Sequence, residues 1–80
     1  MEIKLALLQL LAGNDGMPER ESALLFALRI KLGGKVATAD FTNTLRELEA
    51  MHYAASTRNA LSNDTRWAIT DAGKLALADA

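Results

Sequence analysis

Apolar residues recur in this chain with two different periods, and the place where one gives way to the other constrains the fold more than any other feature. Phe41, Leu45 and Leu48 fall at spacings of four and three, which puts them on one face of a helix. Beyond His52 the spacing becomes two, and Trp67 and Ile69 point the same way along an extended segment. Helices followed by a pair of strands must bury a helix face against a small sheet. The expected class is mainly α with a small two- or three-stranded antiparallel sheet, in a single domain over residues 1–80.

Residues 2–12 predict a first helix, ended by Gly13 in the position of a left-handed C-cap and followed by the turn-rich Asn14-Asp15-Gly16. Ile3, Leu7, Leu8, Leu10 and Leu11 fill one broad side, and Leu5 widens the arc further. Such a helix is either central in the fold or shared with a second subunit. Pro18 suits the first position of a second helix, with Glu19 and Glu21 complementing the dipole and Leu32-Gly33-Gly34 marking the end. That helix carries two apolar stripes: Leu24, Leu25, Leu28 and Leu32 on one side, and Ala23, Phe26 and Ile30 on the other.

Thr38 is the expected N-cap of a third helix that runs to about Met51, its hydroxyl accepting from the N–H of Asp40 or Phe41. Asp40, Thr42, Asn43, Arg46, Glu47 and Ala50 look away from the core face. Residues 53–56 and 65–69 read as two strands, with residues 57–64 as a polar hairpin loop between them. Thr70 then caps a closing helix that extends through Ala80, against which Gly73 counts as an interior glycine.

Composition removes several classes of function. There is no cysteine, so disulfides, zinc ribbons and thiol catalysis are excluded together. The sole histidine, His52, has neither a cysteine nor a second histidine to complete a nucleophilic dyad or a nitrogen-rich metal site. Gly33-Gly34-Lys35 is not a phosphate loop, because Arg29 stands five before Gly34 and Val36 follows the lysine. A non-enzyme without catalytic residues, metal or cofactor is expected. The apolar N-terminal run is interrupted by Gln9, preceded by Glu2 and followed by no small-residue cleavage site, so a helix of a cytoplasmic protein is expected there. No stretch reaches the ~20 apolar residues that a bilayer requires, and no membrane partner is expected.

The ending Arg66-Trp67-Ala68-Ile69-Thr70-Asp71-Ala72-Gly73-Lys74-Leu75-Ala76-Leu77 resembles the second wing strand and Thr-x-x-Gly helix start of MarR-like and PadR-like bacterial regulators. Thr38-Ala39-Asp40-Phe41-Thr42-Asn43-Thr44-Leu45-Arg46-Glu47-Leu48-Glu49 similarly resembles their recognition helix, with a Leu-x-x-Leu pair packed inward. The resemblance covers roughly residues 3–77 and is to the winged-helix superfamily, a winged form of the helix-turn-helix. It departs from those families at His52, where they usually place glycine, and in the wing, which offers Arg58 and Arg66 in place of a basic cluster.

What the resemblance implies is a DNA-binding domain, a transcriptional regulator acting as a homodimer on double-stranded DNA. Thr42, Asn43 and Arg46 would lie at base edges or phosphates, with Thr38 at the helix start and Lys35 and Arg58 on the backbone. Arg29 and Lys31 are further candidates for phosphate contacts. Glu47 and Glu49 would be repelled by phosphates if they faced the duplex. The same helix face serves equally as a solvated surface, and Arg66 is open to structural use by Asp64. Lys plus Arg number 9 against 10 for Asp plus Glu, a net charge of -1, so any attraction to nucleic acid must come from local patches. The alternative is a protein-interaction winged helix that binds another polypeptide and no DNA. Trp67 is expected in the core, and Leu61 either projects from the wing tip or folds back on the sheet. Phe26, Ile30 and Leu5, with Leu75 and Leu77, form the apolar surplus where a dimer contact is expected.

Overall fold

The structure, a computed structural model, describes residues 3–14 and 17–79. Glu2 at the predicted start of the first helix, Asp15-Gly16 of the following turn, and Ala80 at the predicted end of the last helix lie outside them. Four helices and three strands follow in the order α1 (Ile3–Ala12), β1 (Glu19–Arg20), α2 (Glu21–Lys31), α3 (Thr38–Ala50), β2 (Ala54–Arg58), β3 (Thr65–Ile69) and α4 (Asp71–Ala78). The fold is mainly helical with one small antiparallel sheet of order β1-β3-β2.

α1 is the central element. It touches α2, α3, α4 and β3, with Ala6, Leu7, Leu8 and Leu11 buried and Ile3 and Leu10 packed against the core. Its broad apolar arc is thus accounted for within one chain, and Leu5 is half-buried. Gly13 is not left-handed. The helix ends through Gly13 N donating to Gln9 O and Asn14 N to Leu11 O, bonds that need no positive φ.

The start of α2 differs from expectation. Pro18 lies outside the helix, Glu19 and Arg20 are extended, and they pair with Trp67 and Arg66 of β3. The open edge of β3 takes the backbone groups of these two residues before the helix begins at Glu21, with Arg20 as a cap residue that contributes no side-chain bond. Both predicted stripes are present: Leu24 and Leu28 are buried with Leu25 and Leu32 beside them, while Phe26 and Ile30 are 68% and 67% exposed. The helix ends in the left-handed pair Gly33 (φ 80°) and Gly34 (φ 89°), where Gly34 N donates back to Arg29 O.

α3 begins at its predicted cap residue, so the cap lies one residue earlier than expected. Ala37 is the N-cap, and Thr38 Oγ1 accepts from Arg29 Nη2 at 3.2 Å instead of capping its own helix. Phe41, Leu45 and Leu48 are all buried. The helix stops at His52, which is left-handed at φ 63° and performs the turn usually given to glycine.

β2 is longer than predicted and pairs with β3 over five residues, from Ala54 opposite Ile69 to Arg58 opposite Thr65. Trp67 and Ile69 plug the core from the sheet side, with Tyr53 packed against its rim. α4 starts as expected, with Thr70 Oγ1 accepting from Gly73 N at 3.0 Å. Gly73 has a specific cause: a Cβ there would lie 2.2 Å from Tyr53 O and 2.8 Å from Ile69 Cγ1. The α4 backbone therefore rests directly on the backbone entering β2, and only glycine permits that approach.

A candidate nucleic-acid interface on the third helix and hairpin

α3 has a core side and an outward side because its apolar residues recur at helical spacing. Opposite Phe41, Leu45 and Leu48 stand Asn43 and Arg46, both exposed, with Thr42 half-buried on one flank. Neither Asn43 nor Arg46 has a hydrogen-bond or ion-pair partner among the described residues, so their donors are committed to nothing within the chain.

The two glutamates on this helix, both exposed, each have a partner inside the chain. Glu47 Oε2 lies 3.0 Å from Lys4 Nζ on α1. Glu49 Oε2 accepts from Ser56 Oγ at 2.8 Å on β2. Each carboxylate is thereby drawn to a different side of the helix, and the outward strip between them carries a guanidinium and an amide. Asp40 stays exposed in the first turn, where its charge complements the helix dipole.

The Ser56–Glu49 bond also orients the hairpin. Ser56 stands opposite Trp67, so Ala54, Ser56 and Arg58 share the helix-facing side of the sheet. Arg58, two residues beyond that bond, projects on the α3 side of the hairpin and is exposed. Asn43, Arg46 and Arg58 are thus all exposed, with Arg58 on the sheet face that Ser56 shares. Lys35 is exposed on the turn before α3, and Thr38 is exposed at its start with its oxygen already engaged by Arg29.

Arg29 uses two of its five N–H donors within the chain. Its Nε donates to Val36 O at 3.2 Å and its Nη2 to Thr38 Oγ1, so the guanidinium clamps the turn between α2 and α3. Lys31 is exposed. Asp64 does not engage Arg66; it lies 3.8 Å from Arg20 Nε, a long contact on the solvent side. Arg66 is directly opposite Arg20 on one side and Thr57 on the other, on the outer face of the sheet. Arg20 is not legible from the sequence, whose pattern places residues 19–20 at the start of a helix and not in a strand. The one contrary cue lies in Pro18, which favours extended entry as readily as a helix start.

The hairpin tip is held by its own bonds. Asn59 N donates to Asp64 O, Asn63 N to Asn59 O and Leu61 N to Asn59 Oδ1, while Asn63 adopts φ 59°. Leu61 is consequently 99% exposed and does not fold back on the sheet.

Among the described residues no group of three or more His, Cys, Asp or Glu could hold a metal ion. No described helix is long and apolar enough to cross a membrane. No family model, curated protein or solved structure matches this chain.

Proposed function

We propose that this chain is a winged helix that binds double-stranded DNA, acting in the cytoplasm as a homodimeric transcriptional regulator. α3 lies in the major groove, with Asn43 and Arg46 toward base edges and phosphates and Thr42 at their flank. Arg58 of the wing and Lys35 before the helix rest on the backbone, and Thr38 marks the end of α3 nearest the duplex. The observation that carries this reading is the pairing of Glu47 with Lys4 and of Glu49 with Ser56. It engages two of the three carboxylates of α3 with partners inside the chain, leaving Asp40 exposed at the start of the helix. The succession of helices and hairpin, in the order of the winged-helix domain, supports the same reading.

Binding of a generic duplex measured between 50 and 200 mM salt tests it. Affinity is expected to fall steeply, and Arg46→Ala and Arg58→Ala each to lower the magnitude of the log-log slope by about 0.9. An unchanged slope in both variants removes the assignment of these residues.

A winged helix that binds another protein and no DNA is the second reading. It is favoured by the net charge of -1 and by Leu61, an apolar side chain presented in full at the hairpin tip. Absence of duplex binding at 50 mM salt selects it.

A further inference from the structure

The turn between α2 and α3 forms one wall of a groove of about 410 Å³, lined by Ile3, Lys31, Leu32, Lys35 and Val36. A volume of that order is typical of small-molecule sites. The lining divides cleanly into two chemistries. Val36 is buried and Ile3 and Leu32 are half-buried against the core, so the floor is aliphatic and fixed. Lys31 and Lys35 are exposed at the rim.

These two ammonium groups differ from Lys4, Arg20 and Arg29. Lys4 is beside Glu47, Arg20 beside Asp64, and Arg29 is bonded to Val36 and Thr38. Lys31 and Lys35 have no hydrogen-bond or ion-pair partner among the described residues, and no acidic residue among them lines the groove. Two like charges bordering an apolar floor repel one another until an anion lies between them.

The frame is also braced. The left-handed Gly33 and Gly34 reverse the chain, Gly34 N donates to Arg29 O, and Arg29 Nε donates to Val36 O, so both lysines flank a turn that is tied at its base. Little backbone ordering is left for a ligand to supply, so its cost falls on the two lysine side chains.

We propose that this groove binds an amphipathic anion: a linear aliphatic body against Ile3, Leu32 and Val36, with a single anionic head between Lys31 and Lys35. A carboxylate and a phosphate monoester both satisfy the head position. Acetate would gain only the charge and an alkanol only the floor, so both halves are required in one molecule. The site stands independently of DNA binding, although Lys35 belongs to both surfaces.

Titration of the full chain, followed by amide NMR without DNA, tests the proposal with octanoate, octyl phosphate, octanol and acetate below their self-association limits. Octanoate or octyl phosphate is expected to shift the amides of residues 31–36, and the stronger of the two identifies the head group. Octanol and acetate are expected to bind at least about tenfold more weakly. Exchanging both rim charges, Lys31→Glu with Lys35→Glu, alters only exposed side chains and is expected to abolish octanoate binding and admit octylammonium. Circular dichroism verifies that this variant is folded. Equal affinity for octanol and octanoate, equal shifts from acetate, absence of shifts at residues 31–36, or octanoate binding retained by the charge-exchanged variant would each overturn it.

Discussion

The indole N–H of Trp67 donates to Glu21 Oε1 at 2.9 Å, joining the middle of β3 to the first residue of α2. Trp67 is only 5% exposed, so this acceptor satisfies a donor that water reaches poorly. The same carboxylate sits in the first turn of α2, where it also complements the helix dipole.

Removing the acceptor separates these roles. Glu21→Ala is expected to lower unfolding free energy by about 1–3 kcal/mol, because it leaves a buried donor unpaired. Glu21→Gln keeps an acceptor oxygen and is expected to lose less than half as much. Urea denaturation followed by the fluorescence of this single tryptophan reads both values. An alanine variant as stable as the parent would show that the bond contributes nothing net.

At Gly73, helix propensity and packing predict opposite signs. Alanine is worth about 1 kcal/mol more than glycine inside a helix. The Cβ it adds would lie 2.2 Å from Tyr53 O, a backbone atom that cannot move aside alone. Gly73→Ala is therefore expected to destabilise by about 1–3 kcal/mol, the cost of overpacking. A rise in midpoint temperature would show that α4 can lift away from residue 53.

His52 gives a third test. Its φ of 63° lies in the region that glycine occupies without strain. His52→Gly is expected to raise stability by up to about 1 kcal/mol, and His52→Val to lower it by at least as much. The order Gly, His, Val in urea midpoints, at constant slope, is the expected result. A valine variant equal to the parent would contradict it.

Phe26 and Ile30 form an exposed apolar pair one turn apart on α2. If this strip is the dimer contact, sedimentation at rising concentration will show mass increasing toward two copies. Phe26→Asp with Ile30→Lys is expected to hold the chain as a monomer at every concentration. A parent that sediments with the monomer mass at every concentration removes the homodimer from the proposed function.

The sequence made the core legible where its periodicity was strong. Phe41, Leu45 and Leu48 declared one helix face, and Trp67 with Ile69 declared the inner side of a strand; all five are buried. β1 was not legible, since a strand of two residues has no period and exists only because β3 has an edge to offer. Capping at Thr38 failed for a related reason. Its hydroxyl went to Arg29, a residue nine positions earlier, and local propensity cannot register such a competitor.

The candidate interface was legible as a set of residue types but not as a surface. Asn43, Arg46 and Arg58 could be named from the chain. That Glu47 and Glu49 find partners in Lys4 and Ser56 is not visible to periodicity, which does not bring those residues alongside them. Arg29 shows the reverse: it reads as a surface cation in sequence and is a brace in three dimensions.

The hydroxyl of Thr70 donates to His52 O and accepts from Gly73 N, while Thr70 N donates to Tyr53 O and Tyr53 N to Leu48 O. The end of α3, the root of the hairpin and the start of α4 are therefore laced at one residue. In native-state hydrogen exchange these amides should open together as one cooperative unit, so the hairpin cannot detach at its root without loosening the C-terminal helix.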